Sequence, residues 1–329
     1  MEHSLLTTRR TPPHAGMKAN ISFVFFGTPE FSVIVLSELE NAGLIPALIV
    51  TAPDAPKGRG MTVLPSPVCE WARARNVRTI TPVSLKDPET IDALVRTGAD
   101  VFIIAAYGYI FPEIILSIPS KGVLNVHPSL LPKYRGATPI QGALLAGETE
   151  TGVTIMLTDK ELDHGPILAQ TTVHIGGADA TTVTPALAHA GGILAARVLP
   201  EWISGYITPT PQRHEHATFT KLLKKNDGKL SWNITVEEAL RRIRAFQLWP
   251  TTWFEIPSKT GSVRVRILQA RRLDSLKLKP PGTLSSIQNT PCIALRDGWL
   301  QLDRIRIAGK GDADGAAIWK HVTPETILQ

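Results

Sequence analysis

Asp100 to Ala106 is a continuous apolar run opened by a single acid, with no polar residue at alternate positions. A strand exposed on one face would alternate apolar and polar residues, so this one is expected to be buried on both faces, as in a parallel sheet. The neighbouring segments follow the same logic. Ile21 to Gly27 is an apolar run closed by Gly27-Thr28-Pro29, hence a strand and a turn. Phe31, Val35, Leu39 and Ala42 recur at helical spacing, and Gly43 follows as a stop signal. Ile45 to Thr51 reads as the second strand, and Asp87 to Thr97 as a helix with Asp87 as N-cap and Pro88 in its first turn. Gly122-Val123-Leu124 reads as a short buried strand. Val153 to Thr158 and Ile167 to Ile175 look like two strands joined by a loop that carries Asp163, and Ala180 to Trp202 is a helical stretch. Repetition of strand and helix implies an α/β fold: an open, mostly parallel, Rossmann-like sheet with helices on both faces, binding ligands at the carboxyl ends of its strands.

The pattern changes after Thr208-Pro209-Thr210-Pro211, which reads as a linker. Thr235 to Phe246 is a helix. Val263 to Leu268, Pro291 to Leu295 and Leu300 to Ile307 are short strands separated by Pro-Gly and Asp-Gly turns, which suggests a small OB-like β-barrel at the C-terminus. The expected organisation is therefore a disordered extension over 1–20, an α/β catalytic domain over 21–206, a linker over 207–220 and a barrel domain over 221–329. Charge divides at nearly the same place. Met1 to Ala217 holds 16 Lys and Arg against 19 Asp and Glu, a balance of −3; Thr218 to Gln329 holds 19 against 10, a balance of +9. A strongly basic second domain suits a polyanion, with nucleic acid the usual candidate, or else a surface that serves only solubility.

Cys69 and Cys292 lie far apart and offer no disulfide or metal framework, which fits a reducing cytoplasm. Val101 to Phe111 is the longest apolar stretch and is too short to span a bilayer, so no membrane is expected. Arg9-Arg10 is followed by no hydrophobic core of a secretory signal. The first 20 residues read either as an untidy start, with Met17 as the initiator, or as an organellar transit peptide.

Chemistry concentrates in Asn125-Val126-His127-Pro128-Ser129-Leu130-Leu131-Pro132 and in Leu162-Asp163-His164-Gly165-Pro166. Two residues apart on an extended chain, Asn125 and His127 leave on the same face. A neutral hydrogen-bond donor, an imidazole and a later carboxylate are the parts needed to move an acyl group onto an amine. Asn125 and His127 are suitable N–H donors to an oxyanion. Asp163 can orient or charge the imidazole and take up a proton, directly or through water. Each residue also has a plainer reading: Asn125 as a strand-end turn former, His127 as a satisfied core histidine, Asp163 as a turn aspartate. Gly27-Thr28-Pro29 is not the Gly-x-Gly-x-x-Gly fingerprint, which sets aside a nicotinamide oxidoreductase. His127, Asp163 and His164 lack zinc-ligand spacing, and no metal is expected. Pro53 to Gly60 is a basic Gly/Pro loop, read from composition as a mobile solvated loop.

These motifs resemble the folate-dependent formyltransferases, whose signature is Asn-x-His followed by Ser-Leu-Leu-Pro and a downstream Asp. Lys133 to Gln141, Phe26 to Phe31, and Arg244-Ala245-Phe246 with Trp249-Pro250 resemble the branch of that family that acts on charged initiator tRNA. The resemblance runs from about Ile21 to about Ile307. It implies that Asn125, His127 and Asp163 are catalytic. It implies that the formyl donor, 10-formyltetrahydrofolate, lies against Ser129, Leu130, Leu131 and Pro132 and against the turn Ala106-Tyr107-Gly108. It also implies that a loop carrying Lys57 and Arg59 enters the acceptor stem of a charged initiator methionyl-tRNA. Arg suits phosphate and base-edge contacts through its planar fork. Arg244 is taken as a third tRNA residue, and the chain is expected to be monomeric. The sequence departs from the family in three places: His164 stands where Thr or Ala is common, Gln247-Leu248 replaces Asn-Pro, and Thr181 to Gly192 lacks a Leu-x-x-Lys-Leu pattern.

Three functions follow in order. The first is formylation of the α-amino group of methionine on initiator tRNA. The second is formyl transfer to a small amine, such as glycinamide ribonucleotide or an amino sugar nucleotide, which does not require a basic second domain. The third is a non-catalytic RNA-binding protein, against which the intact trio argues.

Overall fold

The computed structural model describes residues 21–57, 62–258, 261–274 and 277–328. The expectations for the 1–20 extension and for Arg59 lie outside the described residues. The chain begins with β1 (Phe23–Gly27), α1 (Glu30–Asn41), β2 (Leu48–Val50), a short hairpin of β3 (Ala55–Lys57) and β4 (Thr62–Leu64), and α2 (Pro67–Ala74). Next come β5 (Thr79–Ile80), α3 (Pro88–Val95), β6 (Val101–Ala105), α4 (Glu113–Leu116) and β7 (Val123–His127). The first half closes with β8 (Arg135–Gly136), α5 (Pro139–Ala146), β9 (Glu150–Leu157), β10 (Ile167–His174) and α6 (Ala180–Ile203).

The main sheet has the strand order β10-β9-β7-β6-β1-β2-β5. Strands β5, β2, β1, β6 and β7 are parallel. The hairpin β9–β10 extends the sheet antiparallel from β7. Alternating side chains of β1 explain why its run is apolar throughout. Phe23 and Phe25 pack with α1 and α6 on one face, while Val24 and Phe26 pack with Leu94 of α3 and Ile115 of α4 on the other. The helix expected from Asp87 begins at Pro88, but the Asp87 carboxylate makes no capping bond. Pro at the first turn leaves one fewer orphan N–H for it to satisfy.

Helix α6 has the length and mean hydropathy of a membrane span, a feature the sequence reading gave to no segment. One face of it, with Val183, Leu187, Leu194 and Val198, is buried in the core of the first domain instead. Gly191 lies so close to β7 that a Cβ would sit 2.7 Å from Val126 Cγ1, and at Gly192 one would sit 2.6 Å from Glu38 Cβ on α1. Small residues thus replace the expected Leu-x-x-Lys-Leu pattern where two layers meet the helix.

The second half contains β11 (Phe219–Thr220), α7 (Val236–Ala245), β12 (Thr252–Ser258), β13 (Gly261–Leu273), β14 (Thr283–Ile287), β15 (Thr290–Leu295), β16 (Gly298–Ile307), β17 (Asp312–Asp314) and β18 (Thr326–Ile327). Except for β11, these strands form one curled antiparallel sheet, ordered β12-β13-β16-β15-β14-β18 with β17 on β16. This is the small C-terminal barrel domain of the sequence reading. Its core holds Ile243 of α7 with Phe254, Val265, Ile267, Leu300 and Ile305. Thr235 and Glu238 form a reciprocal capping box at the start of α7. That helix also meets the first domain, where Arg241 Nη1 donates to the Ala146 carbonyl at 3.1 Å.

The segment 207–220 is ordered and stitched to the first domain. Thr210 and Ile167 exchange two backbone hydrogen bonds of 2.8 Å. Strand β11 pairs parallel with β8 in the register Phe219↔Arg135 and Thr220↔Gly136. Both free cysteines are buried.

Candidate active site

Strand β7 ends in the middle of the main sheet, between parallel β6 and antiparallel β9. The register Ile104↔Asn125 brings the turn after β6 alongside His127. The β9–β10 hairpin returns the loop bearing Asp163 to this same place. Asn125 Nδ2 donates to Asp163 Oδ1 at 3.3 Å, and His127 Nδ1 stands 3.6 Å from the same oxygen. The other carboxylate oxygen accepts the Gly136 N–H at 2.7 Å. The three residues expected to be catalytic therefore form one cluster, with the His127 and Asp163 side chains only 4% and 11% exposed.

The His127 ring lies between two acceptors. Its Nε2 is 3.1 Å from the Tyr134 carbonyl oxygen. A carbonyl only accepts, so Nε2 carries the hydrogen in the neutral ring and Nδ1 offers a lone pair. Burial holds the imidazole below its ordinary range, and the Arg135 guanidinium adds to this; Asp163 and the Tyr134 carbonyl oppose it. The neutral ring thus has its one N–H committed to Tyr134, and the second amide hydrogen of Asn125 is the donor left over at this cluster. This differs from the sequence reading, in which both residues supplied donors. The ring is instead set to take up a proton at Nδ1 beside a carboxylate that stabilises the imidazolium.

Backbone strain gathers here. Ala106, Tyr134 and Asp163 adopt left-handed φ of 52°, 61° and 49°, although none is glycine. Such residues persist only where their surroundings over-determine them, and they cluster at functional sites. Tyr134 is held by its hydroxyl, which donates to Glu148 Oε1 at 2.7 Å, and Lys133 Nζ donates to the same atom at 3.0 Å. Both bonds hold the Glu148 carboxyl below its usual range.

The expected formyl-donor residues line the same end of the sheet to different degrees. Ala106 and Gly108 are exposed at the carboxyl end of β6, while Tyr107 is buried. Burial raises the Tyr107 phenol, whose ring packs against Phe26, Tyr109 and Phe111. Its hydroxyl is buried without a hydrogen-bond partner among the described residues. In the Ser-Leu-Leu-Pro run, Ser129 and Leu131 are buried and Leu130 and Pro132 half-buried. Thr154 of β9 fixes that run by donating to the Ser129 carbonyl at 2.7 Å and accepting the Leu131 N–H at 3.1 Å. Gln170 of β10 donates to the Leu131 carbonyl at 2.9 Å. The run is therefore a rigid ledge beside the trio.

Of the residues expected to meet tRNA, Lys57 and Arg244 are described and neither is bonded to the trio. Lys57 ends β3, and Arg244 lies on α7 with Nη2 3.2 Å from Glu237 Oε1. Arg244 lines a cleft between the domains with Gly177, Asp179 and Gln247. Sequence reasoning missed Gly136, Tyr134, Thr154, Gln170, Arg135 and Gln212. Arg135-Gly136 lay inside a quoted motif, but Gln212, in a segment read as linker, gave no signal.

The family model for formyl transferase matches residues 19–199, and the model for the formyl transferase C-terminal domain matches 222–323. The methionyl-tRNA formyltransferase of Chloroflexus aurantiacus is 40% identical over 300 residues, covering 89% of this chain and 94% of that protein. The enzyme of the same name from Roseiflexus is 40% identical over 306 residues, covering 91% and 92%. Among solved structures, WlaRD, a sugar 3N-formyl transferase with dTDP and 5-N-formyl-THF, is 19% identical with a TM-score of 0.60 and covers 88% of this chain and 99% of its own. HypX from Aquifex aeolicus in complex with tetrahydrofolic acid is 18% identical with a TM-score of 0.58, covering 91% of this chain and 46% of its own. At these identities the two structures show the shared fold.

Proposed function

The chain belongs to the formyl transferase family, and on that premise we infer that it moves the formyl group of 10-formyltetrahydrofolate onto the α-amino group of methionyl initiator tRNA. The observation that carries this reading is the single carboxylate shared by Asn125, His127 and Gly136 at the end of β7. The relatives that match over nine-tenths of their length bear the same activity in their names.

The formyl donor supplies a carbonyl carbon bonded to nitrogen. Attack by the amine forms the new C–N bond, and negative charge moves to the carbonyl oxygen. The Asn125 amide is the donor for that oxygen; loss of such a donor costs about 100- to 1000-fold in rate. The attacking amine must lose a proton, and His127 Nδ1, backed by Asp163, accepts it. The resulting imidazolium keeps its hydrogen bond to the Tyr134 carbonyl and has the Asp163 carboxylate 3.6 Å away as its counter-charge. It then returns the proton to the leaving nitrogen as the old C–N bond breaks, so the step balances without an added acid.

The exposed backbone at Ala106 and Gly108, the unpartnered Tyr107 hydroxyl and the ledge from Ser129 to Pro132 fit a flat heterocycle with polar edges. Lys57, Arg59 and Arg244 are proposed to meet the tRNA, with the chain acting as a monomer in the cytoplasm and apart from any membrane. No group of three or more His, Cys, Asp or Glu able to hold a metal occurs among the described residues. Label transfer from 10-formyltetrahydrofolate to charged initiator tRNA, compared with glycinamide ribonucleotide and an amino sugar nucleotide, tests the reading. Preference for a small amine would overturn it.

A further inference from the structure

Arg135 is a buried cation, 4% exposed, with no carboxylate in ion-pair range among the described residues. Taking a charge out of water costs several kcal/mol unless it is well satisfied. Its satisfaction here comes from neutral groups. Arg135 Nε and Nη2 donate to Gln212 Oε1 at 3.1 and 2.7 Å, and Nη2 lies 2.8 Å from His214 Nδ1. That contact fixes which end of the Gln212 amide is oxygen. The amide nitrogen must then face the other way, where it donates to the Asp163 carbonyl at 2.9 Å and the Gly165 carbonyl at 2.8 Å. Gln212 is itself 5% exposed, and its side-chain oxygen and nitrogen are both engaged.

The two carbonyls bracket the turn that holds Asp163 in its left-handed conformation. The carboxylate is fixed from the same direction, because its partner Gly136 belongs to β8, whose other side pairs with β11. Gly136 cannot be replaced in that pairing: at its φ of 109° a Cβ would sit 2.3 Å from the Thr220 carbonyl oxygen. His164 closes the arrangement by stacking on His214, centroids 4.0 Å apart. The backbone of Asp163 is thus held by Gln212 directly, and its carboxylate by Gly136, whose strand β8 pairs with β11.

We propose that Gln212, clamped between Arg135 and the Asp163 turn, is a positioning residue that sets the Asp163 carboxylate against His127 and Asn125, making the segment between the domains part of the active site. The proposal rests on the formyl-transfer reading. A neutral partner is also the right one electrostatically. A carboxylate at position 212 would pair more strongly with Arg135 and cancel its field at His127, whereas an amide satisfies the guanidinium and leaves that field in place. The groups that face His127 are Asp163 and Arg135, with His214 and His164 behind Arg135.

Two variants of the full chain test this, Gln212→Asn and Gln212→Glu. The shorter amide of Gln212→Asn cannot reach both Arg135 and the turn, so kcat is expected to fall roughly tenfold or more with KM for both substrates within about threefold. Gln212→Glu keeps Arg135 paired; its kcat is also expected to fall, and the acid limb of kcat/KM is expected to move up by roughly half a pH unit or more. Wild-type kcat and an unmoved acid limb in folded protein would overturn the proposal. Loss of folding in both variants would overturn it too, because the clamp would then hold the fold and not the aspartate. Absence of formyl transfer by the wild-type chain would refute the underlying function instead, so the two failures are told apart.

Discussion

At the end of β7 the polar side chains are nearly sealed from solvent and bonded to one another, whereas the outer face of β13 and β16 carries arginines that reach solvent, Arg266 and Arg304 exposed and Arg264 and Arg306 half-buried. Inward residues of β13, Val265 and Ile267, are buried, and the alternate positions carry Arg264 and Arg266. Arg266 lies opposite Trp253 on one side and Arg306 on the other. The Arg264 guanidinium lies 3.6 Å from the centre of the Trp253 ring. Groups that are sealed and mutually bonded act through position, so replacing one atom is felt in the chemistry. Groups in water act through summed charge, so their loss is felt gradually and depends on salt. The near-neutral first domain and the basic second one express that same division.

The sharpest break in the comparison is Asp163→Asn, which keeps the shape and removes the charge. Turnover is expected to fall roughly 100-fold or more, with little change in affinity for the formyl donor, because the carboxylate acts on the proton and not on binding. Purified variant assayed at saturating substrates decides it; near-wild-type turnover would remove Asp163 from the chemistry. Asn125→Ala is expected to cost about 100- to 1000-fold by deleting the oxyanion donor, again with donor binding retained.

The pH profile sharpens the same contrast. Burial and Arg135 push His127 below its ordinary value of 6.5 by more than Asp163 and Tyr134 restore. The neutral ring is the form that accepts the proton, so activity is retained as pH falls past 6.5 and lost only below it. The acid limb of kcat/KM is therefore expected under pH 6.5. In the residual activity of Asp163→Asn it is expected lower still, since the influence that favours the imidazolium is gone. A limb above 6.5 in the wild type would mean that Asp163 outweighs burial at the ring, and activity that fell as pH rose through this titration would mean that the protonated ring is the working form.

Much of the first domain was legible because one physical cause writes each element. Runs such as Val101–Ala105 are apolar throughout since both faces of the sheet are covered, and Asn125 and His127 announce their shared face by spacing two. The carboxylate that joins them was legible from a hairpin reading, because two apolar-rich strands flank the loop that carries it. What the sequence hid was third-party support. Nothing local marks Gln212 as the partner of Arg135, 77 residues away, and Thr-Pro repeats before it read as a break although Thr210 pairs with Ile167. The tautomer of His127 was equally hidden, since it depends on a carbonyl turned inward by the left-handed Tyr134. His164, a departure from the family, finds its reason in its stack on His214 and its 2.8 Å contact with the Asp159 carboxylate. In the second domain the strands β12 and β14 escaped the pattern reading: Pro257 and the serines of β14 dilute the apolar signal, and pairing with β13 and β15 supplies what propensity does not.

The smallest expected effect lies on the arginine face and concerns tRNA alone. Arg266 and Arg304 are exposed and make no ion pair among the described residues, unlike Arg271, Arg272 and Arg306, which pair with Asp303, Asp297 and Asp312. An arginine already paired with a carboxylate gives up that partner to meet a phosphate, so the unpaired two are the better polyanion contacts. Replacing both by Ala is expected to weaken tRNA binding several-fold at low salt. Since each phosphate contact releases about one counterion, the slope of log affinity against log salt should become shallower by about two. Turnover at saturating tRNA and affinity for the formyl donor should stay at wild-type values, because nothing at the end of β7 has moved. The paired control, Arg271→Ala with Arg306→Ala, should change the slope less. Equal slopes for all three proteins would mean that tRNA does not lie on this face, and the positive balance of the second domain would then have to act through other residues, with the β3–β4 hairpin and α7 the next places to look.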